Sequence, residues 1–212
     1  MEHYGTMKVE ELFNEWRSFK PLNIALLTMA TSGLKPEEDK ILAISYYDTI
    51  NGTEETSFNY ADGEMLTKSQ QFHMITSEVM RYGGLPETTF KEQLEKVINN
   101  DVVFVYNVPF FSRFIKAAFN DEDLNVPLYD LSVVHKAVNN KYAFDNEQLN
   151  SFDDFYTACM ANASPVPVGA LCTQFKVSKT PVPGQLPFER MMELLKKVFS
   201  SCVSLEVQRF QS

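Results

Sequence analysis

The sequence contains no run of about 18 consecutive apolar residues, which is the length that a membrane-spanning helix requires. The stretch from Met1 to Lys8 is polar and lacks the apolar core of a secretory signal peptide. We therefore expect a cytoplasmic protein that makes no contact with a membrane.

Cysteine is scarce, with three residues at positions Cys159, Cys172 and Cys202. An odd number of cysteines without metal-ligand spacing is typical of neither a disulfide framework nor a zinc-binding motif. Free cysteine behaves as a small apolar side chain and is among the residues most often found in protein interiors. We predict three reduced thiols that are mostly buried.

Basic residues are also few, since 19 lysines and arginines stand against 28 aspartates and glutamates, for a net charge of −9. The basic residues form no continuous run in the sequence. Proteins that bind nucleic acid without sequence preference neutralise phosphates with lysine and arginine side chains. The charge therefore argues against strong non-specific binding, and we expect nucleic acid to be a weak partner.

The sequence does contain ample material for a hydrophobic core, with 44% hydrophobic residues that include 17 phenylalanines and 9 tyrosines. Periodic apolar residues predict helices over 7–20, 87–99, 110–120, 130–139, 152–162 and 187–203, and a short helical segment near 170–175. Apolar and β-branched runs predict strands over 23–29, 40–47, 56–60 and 101–106, with a hairpin turn at Asn51–Gly52. This order predicts an α/β domain in which helices cover a mixed sheet.

Five segments, in this order and spacing, resemble the DEDD (DnaQ-like) 3′–5′ exonucleases. The segments are NIALLTMATSGLKPEEDKILAISYY (23–47), HMIT (73–76), VVFVYNVPFFSRFI (102–115), VPLYDLS (126–132) and the last helix (187–203). The resemblance implies an RNase H-like fold, a mixed sheet flanked by helices. It places an exonuclease-like domain at 23–212 and a helical extension at 1–22, where Trp16 and Phe19 lie on the apolar face of the predicted helix. That helix packs either on the domain or on a partner.

The resemblance also identifies the positions where these enzymes carry their catalytic groups. Members of the family hydrolyse a phosphodiester with a pair of divalent metals that four carboxylates hold. The carboxylate positions are occupied here by Thr28, Ala30, Phe111 and Phe188, and the position of the general base by Pro183, with Gly184 at the place of a tyrosine variant. We expect no catalytic residue, no metal and no cofactor. The two phenylalanines are expected to fill the former cleft with apolar volume.

Other family positions are retained. Thr31, Ser32, Gly33 and Leu34 match a loop that lines the pocket for the terminal nucleotide in the resembling enzymes, and Asn107 matches a second motif. The resemblance implies that these residues form a vestigial nucleotide-binding site, although a plain strand–turn role accounts for the loop equally well. Asp130 matches a family aspartate, which helix capping explains without chemistry. We predict a structural role for His73 and a surface or core-edge position for His135.

These observations lead to a hypothesis with two alternatives. The first hypothesis is a catalytically inactive exonuclease-like protein that binds a protein partner, acts as a scaffold, or holds a nucleic-acid end without cutting it, in a process involving nucleic acid. The alternative from another class is an active 3′–5′ exonuclease with substituted metal ligands. A third is a structural component of a larger assembly. The sequence leaves the oligomeric state open.

Overall fold

The computed structural model of the protein describes residues 7–8, 23–60, 73–139, 143–144, 151–180 and 185–204. The strands of this part are β1 (Met7–Lys8), β2 (Ile24–Thr31), β3 (Ile41–Asp48), β4 (Thr53–Asn59), β5 (Gly84–Leu85), β6 (Val102–Val105), β7 (Leu128–Asp130) and β8 (Ala143–Phe144). The helices are α1 (Ser77–Gly83), α2 (Glu87–Ile98), α3 (Val108–Phe119), α4 (Leu131–Asn139), α5 (Phe152–Asn162), α6 (Val168–Gln174) and α7 (Pro187–Ser204). None of these helices, within the described residues, combines the length and the apolarity needed to cross a membrane.

The main sheet has the strand order β5-β4-β3-β2-β6-β7. Strands β2, β3 and β4 form an antiparallel meander, whereas β6 and β7 run parallel to β2, and β5 runs parallel to β4. The hairpin between β3 and β4 closes with Asp48 opposite Thr53, and Gly52 adopts a φ of 67° that favours glycine. The predicted mixed α/β sheet of the RNase H-like, exonuclease type is confirmed.

Strand β2 is buried on both faces of the sheet, because helices cover each side. Ile24 and Leu26 point into a core cluster with α4, α5, α6 and α7, whereas Ala25 and Leu27 point into a cluster with α2 and α3. Alternation along the strand places Thr28 on the same face as Ile24 and Leu26. The end of β2 therefore lies between the sheet and α7, which packs across both β2 and β3.

Most predicted elements lie where periodicity indicated them. The structure confirms the strands predicted over 23–29, 40–47 and 101–106 and the helices predicted over 87–99, 110–120, 152–162 and 187–203, each within a few residues. Strand β4 begins three residues before its predicted start at Thr56. Ser151 caps α5 as expected, accepting a hydrogen bond from the Asp154 backbone N–H at 3.2 Å.

The helix predicted over 7–20 is wrong at its first residues. Met7 and Lys8 form β1, which pairs antiparallel with Ala143 and Phe144 of β8. A partner strand from a distant part of the chain outweighs the local helical periodicity at these two positions. The rest of the prediction, including Trp16 and Phe19, lies outside the described residues.

The three cysteines are free and buried, as predicted. Burial raises the pKa of the Cys159 and Cys202 thiols to about 12, so neither thiol ionises near neutral pH. Because thiolate is the reactive form, we expect the native protein at pH 8 to react with a thiol reagent far more slowly than the unfolded chain. Absorbance with Ellman's reagent, with and without guanidinium chloride, measures this. Full reaction of the native protein within seconds would contradict it.

Candidate functional site

The candidate site is the carboxyl end of β2, on the face that α7 covers. Thr28 lies opposite Ser45 of β3 in the antiparallel ladder, and Ala30 lies opposite Ala43. The two side chains share one face of the sheet because they are two residues apart on a strand. These are the positions predicted to correspond to the first two family carboxylates.

Thr28 belongs to a row of hydroxyl groups that crosses three strands. Its side chain is 1% exposed, and its hydroxyl donates to the Ser45 carbonyl oxygen at 3.4 Å. Thr56 Oγ1 donates to Ser45 Oγ at 3.1 Å, and Ser45 Oγ donates to Glu54 Oε1 at 3.4 Å. Lys196 Nζ pairs with Glu54 Oε2 at 2.8 Å, so the carboxylate at the end of the row is neutralised.

Ala30 and Phe188 lie together in an apolar cluster. Phe188 is 4% exposed and contacts the ring of Phe58 edge to face, with 6.2 Å between the ring centroids. Ile75 and Met80 complete the surroundings of these residues. The Ala30 methyl group therefore faces buried hydrocarbon.

Phe111 occupies a different position. It packs in the cluster that covers Ala25 and Leu27, with its ring 6.0 Å from the ring of Phe110. The structure thus brings Ala30 and Phe188 together and places Phe111 in another core cluster. The expectation that Phe111 fills the same cleft as Phe188 is therefore wrong, because helix α3 turns Phe111 toward the cluster formed with α2.

The start of α7 contains the carboxylate nearest in sequence to Phe188. Glu189 Oε2 accepts a hydrogen bond from the backbone N–H of Leu186 at 2.8 Å. A carboxylate in the first turn of a helix satisfies a free N–H group and interacts favourably with the helix dipole. Glu189 thus stabilises the beginning of α7. Pro183 and Gly184 lie outside the described residues.

This donor set does not fit a pair of divalent cations. Hard cations bind carboxylate and carbonyl oxygens, whereas a methyl group and a phenyl ring provide no ligand atom. The Thr28 hydroxyl is uncharged and already donates to a carbonyl group. Among the residues that the structure describes, no group of three or more His, Cys, Asp or Glu side chains is placed to hold a metal ion.

The polar side chains of the loop after β2 form hydrogen bonds within the loop. Thr31 Oγ1 donates to the Gly33 carbonyl oxygen at 2.6 Å, and Ser32 Oγ donates to Asp39 Oδ1 at 3.0 Å. A Cβ atom on Gly33 would lie 2.3 Å from Asp39 Oδ2, so a larger residue here would require the Asp39 side chain to move. Leu34 projects into solvent and is 76% exposed. The loop therefore presents an apolar side chain and leaves few free polar side-chain groups.

Asp130 is the last residue of β7, and its hydrogen bonds connect this strand to three other segments. Its Oδ2 accepts from the backbone N–H of Asn107 at 3.2 Å, and its Oδ1 accepts from the Ser132 N–H at 2.9 Å and hydroxyl at 2.6 Å. The Asp130 N–H donates to Tyr156 Oη at 2.9 Å. The predicted capping role of Asp130 is confirmed. Asn107, in a left-handed conformation with φ 64°, has an exposed side chain.

Two histidines are buried. His73 Nδ1 accepts from the Ile75 N–H at 3.1 Å, which supports the predicted structural role, and among the described residues His73 Nε2 has no hydrogen-bond partner. The prediction of a surface or core-edge position for His135 is wrong, because its side chain is 4% exposed. Asn139 Nδ2 lies 2.8 Å and Gln174 Nε2 lies 3.2 Å from its Nε2. Helices α6 and α7 enclose this face of α4, which helical periodicity alone does not reveal.

Burial lowers the pKa of both His73 and His135, since desolvation disfavours the imidazolium form. Below the unfolded pKa of about 6.5, the unfolded chain therefore binds more protons than the native protein. We expect the free energy of unfolding to fall with decreasing pH from about 6.5, by up to about 1.4 kcal/mol per pH unit for each histidine.

Urea titrations between pH 7.5 and 5.5 measure this slope. His135→Gln should remove the part of the slope that His135 contributes, while His73 continues to contribute its own part. A variant slope equal to that of the wild-type protein would show that His135 does not titrate in this way.

The row of hydroxyls and the Glu54–Lys196 pair were missed by sequence reasoning. Ser45 is a small polar residue within a largely apolar strand, which is a weak signal for a site. Glu54 and Lys196 are 142 residues apart in sequence and meet only because α7 lies over β3.

Comparison with known proteins identifies the fold. A scan of the sequence against protein families finds no match, and a search of curated proteins finds none. Solved structures do match, among them product-bound exonuclease I, at 14% identity and a TM-score of 0.55, over 84% of this chain and 43% of the other. Exonuclease X in complex with 5′-overhanging duplex DNA matches at 11% identity and a TM-score of 0.52, over 86% of this chain and 92% of the other.

A third match is a chain in the structure of the yeast NOT1 MIF4G domain co-crystallised with CAF1. It has 13% identity and a TM-score of 0.52, over 94% of this chain and 88% of the other. The chain spans less than half the length of the matched exonuclease I structure. At these identities the likeness concerns the fold alone, and the chain has the fold of the DnaQ-like exonucleases.

Proposed function

We propose that this protein is a catalytically inactive, exonuclease-like domain that acts by binding a protein partner in a cytoplasmic process involving nucleic acid. The observation that carries the proposal is the burial of Ala30 and Phe188 in one apolar cluster, at two positions predicted to correspond to family carboxylates. A metal-dependent nuclease needs an open, polar cleft at this place for its cations and for the scissile phosphate. Packed hydrocarbon is incompatible with both.

The surroundings of Thr28 give further support. The carboxylate nearest along its hydrogen-bonded row is Glu54, whose charge Lys196 compensates at 2.8 Å. Recruiting Glu54 as a metal ligand would break this ion pair and expose a lysine to the cation. The local electrostatics therefore favour a site without metal.

A protein partner is favoured over nucleic acid by charge. The chain carries a net charge of −9, which opposes the approach of a polyanion. The yeast match, a structure that contains both NOT1 and CAF1, indicates that a fold of this kind is compatible with a protein complex. The vestigial loop at Thr31–Leu34, with its exposed leucine, is one surface that such a partner would contact.

The test combines binding and cleavage in one sample. Fluorescence anisotropy follows a 3′-labelled single strand with and without Mn²⁺, and a gel then resolves the product lengths. We expect no shortening at any metal concentration and at most weak, salt-sensitive binding. Product that disappears with a chelator would overturn the proposal in favour of an active exonuclease with substituted ligands.

Two variants sharpen this test. If cleavage is seen, Glu54→Gln and Asp130→Asn ask whether either carboxylate provides a substitute ligand, because each change removes a charge with little change in shape. An active exonuclease at equal concentration serves as the positive control.

A further inference from the structure

A cleft of about 220 Å³ opens on the face of the sheet opposite Ala30 and Phe188. The 36–41 loop, the beginning of α2 and the end of α3 form its walls. Its floor is apolar and consists of Ile41, Phe90 and Phe114, with Ala117 and Ala118 at the side. This volume suits one long side chain better than a whole ligand of drug size.

Acidic groups predominate at the rim of this cleft. Glu37, Glu38, Asp39 and Glu87 line it, against the two cations Lys40 and Lys91. Lys91 pairs with Glu87 at 3.1 Å and, together with the weaker influence of Lys40, lowers the pKa of Glu87. Lys91 is therefore paired with the Glu87 carboxylate.

Glu37 remains uncompensated at this rim. Glu38 pairs with Lys35 at 3.1 Å, and the Asp39 carboxylate accepts from the Ser32 hydroxyl and from the Lys35 N–H within its loop. In the part of the chain that the structure describes, Glu37 forms no ion pair. A negative charge thus stands free beside an apolar floor.

The end of α3 adds to this negative potential. Ala117, Ala118 and Asn120 line the cleft, and Asn120 ends the helix in a left-handed conformation with φ 52°. The last carbonyl groups of a helix bear partial negative charge, and this favours cations near the C-terminus. The partial negative charge at the end of α3 therefore adds to the negative charge of Glu37.

We propose that this cleft binds a lysine or arginine side chain of a protein partner. These side chains combine an apolar stem with a cationic head, which matches an apolar floor beneath an acidic rim. The stem lies against Phe90, Phe114 and Ala117, and the head lies near Glu37 and the carbonyl end of α3. The inference rests on the proposed function, since it names the chemistry of the partner. The acidic residues at the rim oppose the binding of a nucleic-acid phosphate.

The test uses the full chain labelled with ¹⁵N and titrated with N-acetyl-arginine amide and N-acetyl-lysine amide. We expect saturable shifts of the amide resonances of Glu37, Ala117, Ala118 and Asn120. N-acetyl-glutamate amide tests the sign of the charge, and N-acetyl-leucine amide tests for apolar binding alone. Shifts of equal size with the glutamate or leucine compound, or no shift with either basic compound, would overturn the proposal.

Variants separate charge from shape. Glu37→Lys reverses the free charge, and Ala117→Leu fills the cleft, so each should weaken arginine amide binding by about tenfold or more. Glu95→Lys makes the same charge change at an exposed position of α2 that does not line the cleft, and should leave binding within about twofold. Equal losses in Glu37→Lys and Glu95→Lys would indicate a general charge effect and contradict a specific site. Melting temperatures verify that each variant is folded.

This result is independent of the nuclease assay. If the chain cleaves DNA with Mn²⁺ and the cleft still binds arginine amide, the proposed function is wrong but the proposed binding of a basic side chain in the cleft still holds. If no cleavage is seen and the cleft binds neither basic probe, the inference fails while the inactive fold stands.

Discussion

Replacing Ala30 with glutamate is expected to lower the free energy of unfolding by about 4 kcal/mol or more, because an unpaired charge would be buried in hydrocarbon. Ala30 is 6% exposed and lies in the cluster with Phe188, Ile75 and Met80. The described residues of this cluster provide no cationic side chain to compensate the new carboxylate. In an enzyme that uses this position for a metal ligand, the same residue would be tolerated.

Denaturation in urea measures the effect, and Ala170→Glu provides the matched control. Ala170 lies on α6 and is exposed, so the same change there should alter stability by about 0.5 kcal/mol or less. The decisive comparison adds Mn²⁺ to both variants. An Ala30→Glu protein that is as stable as wild type, or that gains melting temperature with Mn²⁺, would show that the cleft is open and metal-competent.

Asp130→Ala is expected to cost about 3 kcal/mol of stability, because several buried donors lose one shared acceptor. The Asp130 carboxylate accepts from the backbone N–H groups of Asn107 and Ser132 and from the Ser132 hydroxyl, and it is 6% exposed. Removing it leaves these groups unsatisfied where β6, β7 and α4 meet. The beginning of α4 loses its cap in the same change.

Asp130→Asn keeps one carbonyl acceptor and should cost less than the alanine variant. Glu122→Ala, an exposed acidic position after α3, serves as the control and should remain within about 0.5 kcal/mol of wild type. Guanidinium denaturation at pH 7.5 gives all three values. Equal stability of Asp130→Ala and wild type would mean that the network contributes nothing to folding.

The elements that the sequence predicted well are those whose signal is local. Strand β6 is a short apolar run, and α7 has an apolar stripe along its length, so burial and periodicity agree. Helix α1 and strand β5 gave no periodic signal, because seven and two residues are too few to establish one. Strands β1 and β8 depend on each other across more than a hundred residues, which local patterns cannot encode.

The candidate site was predictable in part. The resemblance placed Thr28 and Ala30 on one strand and predicted that Phe188, on the last helix, fills the same cleft, and the structure places Ala30 and Phe188 in the same cluster. The resemblance assigned Phe111 to the wrong cluster and did not find Lys196, because both positions depend on how helices pack on the sheet. No sequence motif predicted the apolar cleft at Phe90 and Phe114, because its walls come from three separate segments of the chain.

The short pairing of β5 with β4 has a consequence for how the protein behaves at high concentration. Strand β5 pairs only with Phe58 and Asn59, so within the described residues the outer backbone of 53–57 faces no neighbouring strand. Exposed strand edges promote aggregation unless charged side chains guard them. Glu54 and Glu55 point to opposite faces of this edge, where Lys196 and Lys96 hold them in place. These paired charges lie at the edge where a strand of another molecule would pair, so they oppose edge-to-edge aggregation of the protein.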